Sequence, residues 1–376
     1  MIEAAQPSVQ ALPDTGRILA LAVVVPTLNE RDNVAVMVAA LDRALAGHAF
    51  EILFVDDWSR DGTPGAVAAI AARRADVRLI QRYGRRGLSS AVVEGVLATV
   101  APVIAVIDAD MQHDETLLPA LADAVASGRA DVAVGSRYVA DGSTGEWDAG
   151  RVRTSRVATL LSRRLLPEPV ADPMSGFFVV RRDAFVAAVP HLSSIGFKIL
   201  LDLLVSSPAP LRVVELPYRF RTRQAGESKL DSAVALDFIL MLVDKTVGRW
   251  IPARLVLFGA VGVLGLVVHL ALLRLSLAVS ADFAYSQATA VVGAMTFNFA
   301  LNNALTYRDR RLTGARWLTG LVSFYLVCGL GAIANVGVGS IAFQQNYSWW
   351  LAGIAGAVVG SVWNFAASSV LTWRKR

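Results

Sequence analysis

Apolar residues follow two regimes along this 376-residue chain. Up to about residue 250 they come in short runs broken by charge, whereas between Ala253 and Trp373 they form four long stretches. In the first regime Leu19–Val25 is a strand-length run closed by Pro26, and Glu51–Val55, Val77–Ile80, Val103–Ile107 and Val132–Gly135 are further runs of that kind. Between them Val34, Val38 and Leu41 keep helical spacing, and Ala66–Arg74, Ser90–Thr99 and Glu115–Ala126 read as helices. Strands alternating with helices predict an α/β domain whose mostly parallel sheet is covered on both faces. Ligands of such sheets sit beyond the carboxyl ends of the strands. The loops that begin at Pro26, Asp56 and Asp108 share that edge, so Glu30, Asp57, Asp108 and Asp110 are expected to converge.

The second regime changes the picture from a soluble protein to one partly in lipid, as does a mean hydropathy of +0.50. Leu255–Leu277, Ala284–Leu305, Trp317–Phe343 and Trp349–Leu371 each reach the ~20 residues that cross a bilayer as a helix. Arg249 and Arg254 precede the first span, Arg308, Arg310, Arg311 and Arg316 fill the middle link, and Arg374, Lys375 and Arg376 close the chain. That bias predicts four spans with both termini and the α/β domain on the cytoplasmic side. The expected organisation is a mobile tail over 1–19 without a signal peptide, an α/β domain over 20–232, a juxtamembrane helix and linker over 233–252, and an all-α membrane domain over 253–376. In the linker, Ala233–Val247 mixes apolar clusters with Asp237, Asp244 and Lys245, which suits an amphipathic helix on the membrane surface or one packed on the α/β domain. Asn298, Asn302, Asn335 and Asn364 lie at or near membrane depth and are expected to hydrogen-bond between helices. Gly259, Gly262, Gly265, Gly353, Gly356 and Gly360 suit close helix packing. The single Cys328 excludes a disulfide within the chain. A net charge of +5 suits anionic headgroups and phosphates better than a nucleic-acid groove, so no nucleic-acid partner is expected.

Candidate chemistry centres on Val106-Ile-Asp108-Ala-Asp110-Met-Gln112-His113. Carboxylates at i and i+2 at a strand end share one face, and with a carboxamide beside a diphosphate they provide the oxygen ligands that Mg²⁺ or Mn²⁺ takes. No Gly-x-Gly-x-x-Gly follows the first strand, which argues against a nicotinamide or flavin cofactor. His113 reads as a structural hydrogen-bonder.

Seven ordered segments carry a resemblance: Val25-Pro-Thr-Leu-Asn-Glu30, Val55-Asp-Asp-Trp-Ser-Arg-Asp-Gly-Thr63, Asp108-Ala-Asp-Met-Gln-His113, Gly135-Ser-Arg-Tyr138, Ser175-Gly-Phe177, Gly196-Phe-Lys198 and Arg223-Gln-Ala-Gly-Glu-Ser-Lys229. Over residues 20–232 the chain resembles inverting family 2 glycosyltransferases of the polyprenyl-phosphate (dolichol-phosphate) mannose synthase type, which implies a GT-A-like fold. Phe297-Asn-Phe-Ala-Leu-Asn-Asn-Ala-Leu-Thr-Tyr307 with Arg308 is similar to GtrA-like four-helix membrane domains. The resemblance implies that Pro26, Leu28, Glu30, Val55 and Asp57 line the nucleoside end of a GDP-mannose site. It places Asp108 and Ala109 by the ribose and diphosphate, and makes Asp110 and Gln112 ligands of Mg²⁺ or Mn²⁺. Arg137, Arg151, Ser155, Lys198, Arg223 and Lys229 would gather around the donor diphosphate and the phosphate of a polyprenyl acceptor in the bilayer. Asp110, Arg137, Arg151, Ser155 and Arg223 are the residues it makes catalytic. An ionised lipid phosphate needs no strong base to attack, so the burden falls on neutralising the departing diphosphate. A single displacement would turn an α-linked donor into a β-linked product. A UDP-sugar donor, and a non-catalytic carrier of lipid-linked sugar, are the competing expectations; a homo-oligomer is left open. Trp58, where the family usually has a small residue, predicts a differently shaped loop. Ser89, in place of a customary glycine, bears on the backbone packing there.

Overall fold

A computed structural model describes residues 19–84, 87–145, 158–193, 198–222, 232–247, 251–279, 283–345, 358–359 and 361–373. The chain divides into two compact units, Met1–Thr246 and Val247–Arg376. Arg151, Ser155, Arg223, Lys229, Gly353, Gly356 and Gly360 lie outside the described residues.

In the first unit, β1 (Leu21–Thr27), β2 (Phe50–Asp56), β3 (Val77–Gln81), β4 (Val103–Val106), β5 (Val132–Ser136), β6 (Phe178–Arg181) and β7 (Val213–Pro217) form one sheet in the order β3-β2-β1-β4-β6-β5-β7. Every neighbouring pair is parallel except those of β6, which runs against β4 and β5. β1 is buried throughout because both faces are covered. Its alternate residues serve two cores: Val23 and Val25 join Met37, Phe54 and Phe177, while Ala22 and Val24 join Leu53, Val92, Phe178 and Leu200. The covering helices are α1 (Arg31–Ala44), α2 (Thr63–Ala71), α3 (Leu88–Leu97), α4 (Leu118–Ala126), α5 (Arg182–Ala188) and α6 (Ile199–Ser206). On α1, Val34, Met37, Val38 and Leu41 make the buried stripe. Where α3 crosses the sheet, a Cβ on Gly95 would stand 2.5 Å from Val24 Cγ1, so only glycine lets that helix approach.

The mostly parallel sheet is the one the hydrophobic pattern predicts, with strand ends shifted by one or two residues. The pattern did not show β7, nor did it show β6. Its direction has a direct consequence: because Val106 pairs with Phe178, the start of β6 lies at the edge where β4 ends. Ser175-Gly176-Phe177 is thereby delivered beside Asp108.

Helix α7 (Ser232–Val247) spans the amphipathic segment of the linker. Near its end Lys245 Nζ reaches Asp202 Oδ1 at 2.6 Å, with side-chain exposures of 10% and 0%. It also donates to Ser206 Oγ at 2.7 Å and to the His191 carbonyl at 3.1 Å. Asp202 further accepts from Ser193 and Ser206. The last turns of α7 therefore pack on the α/β unit through a buried charge pair, while Ile239 stays exposed.

In the second unit α8 (Ala253–Val279) is, among the described residues, the helix long and apolar enough to cross a membrane by length and composition. It is followed by α9 (Phe283–Leu301) with a π-helical turn at Asn302–Thr306, by α10 (Ala315–Gln344), and by a helix over 361–367 with a second π-helical turn at Ser368–Thr372. Phe258, Phe299, Tyr307, Phe324 and Trp373 form the aromatic core. The polar residues depart from expectation. Asn302 bonds within its own helix end, to Asn298 O and Thr306. Asn298 Oδ1 and Asn364 Oδ1 are buried with no hydrogen-bond partner among the described residues. The side chain of Asn335 lies outside the description. Gly259 and Gly262 face open space, so their role in close packing is not upheld, whereas Gly265 does take a neighbouring side chain.

Candidate active site at the carboxyl edge of the sheet

Three loops leave the carboxyl ends of β1, β2 and β4, and each holds one non-glycine residue at positive φ: Asn29 (55°), Trp58 (61°) and Met111 (61°). Left-handed backbone at such residues costs of order 1 kcal/mol each and persists only where surroundings fix it. The first two loops fix one another. Asn29 N–H donates to Ser59 Oγ at 2.7 Å, Glu30 N–H to Thr63 Oγ1 at 2.9 Å, and Arg60 N–H to Asn29 Oδ1 at 3.0 Å. Asp56, fully buried, accepts from Ser59 N–H at 2.9 Å and Ser59 Oγ at 2.5 Å. Trp58 thus adopts the left-handed turn that a small residue would take more cheaply. It is 40% exposed, with the Arg60 guanidinium 5.5 Å from its ring. Ser89 is fully buried, and its Oγ has no hydrogen-bond partner among the described residues.

Asp57 is not open to solvent in this state. Arg82, itself 2% exposed, ion-pairs with its Oδ1, and Gly87 N–H donates to Oδ2 at 2.7 Å. Burial pushes the Asp57 carboxyl above its ordinary range, against the Gly87 N–H and Arg82, which both favour the charged form. Arg82 is further held by Glu94 and Ser90. Pro26 and Val55 face each other across β1 and β2 and are both buried. Val55 belongs to the core on the α3 side, so its side chain lies behind this edge of the sheet.

The β4 loop is the chemical centre. Asp110 and Gln112 are each 8% exposed, and Asp110 Oδ1 accepts from Gln112 N–H at 3.2 Å. The Gln112 carboxamide donates Nε2 to the Arg221 carbonyl at 3.1 Å, while Arg221 N–H returns a bond to Gln112 O at 2.8 Å. With its nitrogen so engaged, the carboxamide presents Oε1, the atom a hard cation takes. Arg221 is forked onto Asp114 at 2.6 Å and Glu115 at 2.7 Å. Among the described residues no three His, Cys, Asp or Glu side chains cluster as a metal site. A divalent ion here would therefore take Asp110, Gln112 and oxygens of the substrate, the mode expected for diphosphate-bound Mg²⁺ or Mn²⁺.

Asp108 lies in the same loop beside His113, which is 3% exposed. Burial pushes the Tyr218 hydroxyl far above its ordinary pKa. His113 Nε2 donates to Asp108 Oδ2 at 3.3 Å, since a carboxylate only accepts, and its Nδ1 lies 2.7 Å from the Tyr218 hydroxyl. Phe177, Tyr218 and Phe220 ring the imidazole. His113 is the structural hydrogen-bonder that the sequence suggested. Asp108 Oδ1 is buried with no hydrogen-bond partner among the described residues. Gly176 leaves room for this carboxylate, because a Cβ there would stand 2.5 Å from Asp108 Oδ2. Gly176→Ala is expected to displace it at a cost of about 1–3 kcal/mol. A rise of about tenfold or more in donor KM, with the fold retained by circular dichroism, is the result to look for.

Arg137, at the end of β5, is 8% exposed and forked onto Asp172 at 2.7 and 2.8 Å, with its guanidinium 5.5 Å from the Phe220 ring. Asp172 raises its pKa against the burial that would lower it. Lys198 donates to the Met174 carbonyl at 3.2 Å, next to Ser175-Gly176. Arg82, Asp172, Tyr218 and Arg221 have no counterpart in the sequence reading. Each acts as partner to a residue in a recognised motif, and nothing local marks such a partner.

An α/β sheet whose strained loops gather Asp108, Asp110 and Gln112 at its carboxyl edge is the arrangement that the sequence resemblance implies. Comparison with known proteins agrees. The model of glycosyl transferase family 2 matches residues 22–187, and that of the GtrA/DPMS transmembrane domain matches residues 257–373. A dolichol-phosphate mannosyltransferase of Pyrococcus furiosus is 31% identical over 355 residues, 94% of this chain and 99% of the relative. One from Mycosarcoma maydis is 38% identical over 230 residues, covering 59% and 77%. The polyprenol monophosphomannose synthase of Mycolicibacterium smegmatis is 33% identical over 217 residues, covering 56% and 81%. The chain belongs to the dolichol-phosphate mannosyltransferase family of membrane-bound family 2 glycosyltransferases.

Proposed function

We propose that the protein transfers mannose from GDP-mannose to a polyprenyl phosphate of the dolichyl type, with inversion, at the cytoplasmic face of a membrane that its second unit crosses four times. The observation that carries the donor site is Asp108 Oδ1, a buried acceptor without a partner among the described residues, two positions before Asp110 and four before Gln112. A buried unpaired carboxylate oxygen costs free energy until a donor arrives, and a ribose hydroxyl is such a donor. The relatives named for mannosyl transfer to dolichol or polyprenol phosphate support the sugar and the acceptor.

Asp108 would hold the ribose, and Asp57, released toward the base edge, would read the nucleobase with Pro26, Leu28, Glu30 and Ala109 beside it. Mg²⁺ or Mn²⁺ held by Asp110 and Gln112 would neutralise charge on the diphosphate. Lys198 and Arg137, with Arg151, Ser155, Arg223 and Lys229 from the motifs outside the described residues, would place the acceptor phosphate and stabilise the leaving group. Charge-assisted bonds from guanidinium and ammonium groups are the strong ones for this purpose. No residue needs to act as a strong base, because the acceptor is ionised at neutral pH.

The test is transfer by the purified protein in detergent with polyprenyl phosphate, using GDP-mannose, UDP-glucose and UDP-N-acetylglucosamine in parallel, with and without chelator. Chelator-sensitive product from GDP-mannose alone is expected. Product from a UDP-sugar alone would overturn the donor, and no product from any donor would favour a lipid-linked sugar carrier.

A further inference from the structure

The membrane unit repeats itself. Leu255, Val256, Phe258, Val261, Leu264 and Gly265 recur as Leu321, Val322, Phe324, Val327, Leu330 and Gly331. The same interval carries Asn298-Phe-Ala300 onto Asn364-Phe-Ala366, and Leu305-Thr-Tyr307-Arg-Asp-Arg310 onto Leu371-Thr-Trp373-Arg-Lys-Arg376, with no gap anywhere. Single coincidences are common among apolar helices, but one fixed register shared by both members of a helix pair is not.

Local structure follows the register. A Cβ on Gly265 would stand 2.0 Å from Asn298 Oδ1, and one on Gly331 would stand 1.9 Å from Asn364 Oδ1. Each second helix ends in a π-helical turn, closed by Tyr307 N–H on Asn302 O at 2.8 Å and by Trp373 N–H on Ser368 O at 2.9 Å. The halves are thus two copies of one hairpin, each with its asparagine seated against the glycine of its own first helix.

Contacts between the halves decide how the copies are related. Two halves related by translation alone would give a contact from one to the next without its reciprocal; a two-fold axis requires both. Phe258 meets Phe365 at 5.8 Å between ring centroids, and the exchanged pair Phe324 and Phe299 meets at 5.7 Å. Tyr307 OH is 2.7 Å from Ser369 Oγ, and Trp373 Nε1 is 3.0 Å from the equivalent atom position, Asn303 Oδ1. Tyr307 and Trp373, equivalent to each other, stack at 4.1 Å and 8°, as residues on an axis must. Because they close the same end of both second helices, the axis runs along the helices. The hairpins therefore share one orientation, unlike the inverted repeats whose axis lies in the membrane plane.

We infer that the membrane unit is one helix hairpin used twice, joined about a pseudo-two-fold axis through a self-complementary aromatic surface, and that the partner of that surface is the other half of the same chain. No second chain is needed to complete it.

In the full-length protein with Cys328→Ser, the pairs Phe258→Cys with Phe365→Cys and Phe299→Cys with Phe324→Cys are treated in membranes with a short thiol cross-linker. Both pairs are expected to link at similar yield within a single chain. Ala278→Cys and Gln344→Cys, equivalent in the repeat, are expected to react with a membrane-impermeant maleimide from the same face. Linking at one pair alone, links that produce chain dimers, or labelling from opposite faces would overturn the inference. Where a cysteine pair does not insert, Tyr307→Trp with Trp373→Tyr serves instead, since each ring keeps a polar atom for its partner. The exchanged protein is expected to melt as the parent does, while Tyr307→Ala melts well below it; equal losses in the two would overturn the symmetric interface.

Discussion

Asp110→Asn is expected to lower metal-dependent sugar transfer by about 10³-fold or more, while the protein still inserts in membranes and keeps its secondary structure. A divalent ion contributes several kcal/mol of charge stabilisation to a leaving diphosphate, and each 1.36 kcal/mol is tenfold in rate. Asparagine keeps the size of Asp110 and its bond to Gln112 N–H, so the change isolates charge from shape. Mn²⁺ binding followed by electron paramagnetic resonance gives an independent reading: occupancy at low ion concentration is expected to disappear with the carboxylate. Retained binding and turnover would remove Asp110 from the ligand set. The same substitution also separates the enzyme from a carrier of lipid-linked sugar, which has little need of a diphosphate–metal site.

The second large effect is on stability. Lys245→Met is expected to cost the α/β unit about 3–5 kcal/mol, because it strands the Asp202 carboxylate, fully buried, without its cation. Adding Asp202→Asn is expected to restore a large part of the loss, since a neutral amide can keep its bonds to Ser193 and Ser206 without a buried charge. Chemical denaturation of the solubilised protein, followed by tryptophan fluorescence, would show this as a midpoint that falls and then recovers. A midpoint unmoved by Lys245→Met would mean that α7 is not anchored through this pair.

What could be read beforehand depended on how local the determining physics is. β1 to β5 were visible because unbroken apolar runs record burial on both faces, and the placing of the loops that follow β1, β2 and β4 at one edge followed from the polarity of a parallel sheet. β6 was not. Phe178–Val180 shows that the segment is buried, but nothing in those residues tells which way the strand runs. The partners Arg82 for Asp57 and Asp172 for Arg137 come from elsewhere in the chain, and an arginine destined for a core looks like one destined for solvent. Trp58 itself takes the left-handed conformation, in a loop that bonds among Asn29, Ser59 and Asp56 hold, and none of those partners could be told from the sequence around it. The duplication in the membrane unit was present in the sequence, but hidden among Leu, Val, Ala and Gly, which recur in any apolar helix. Reciprocal contacts in space made the register plain.

The carboxamide of Gln112 is oriented by Arg221, 109 residues further along the chain. Beside it, β5 finds a parallel neighbour only in β7, which ends at Pro217. Such long-range pairings form late, because loop closure comes before contact. During synthesis the ribosome must therefore deliver almost the whole α/β unit before the loop that carries Gln112 takes this shape. A nascent chain halted between His113 and Arg221 would carry every residue of the Asp108–His113 motif and still lack the carbonyl that orients the Gln112 carboxamide. The order of translation itself thus completes this loop only as the chain reaches the segment that leads into its second unit.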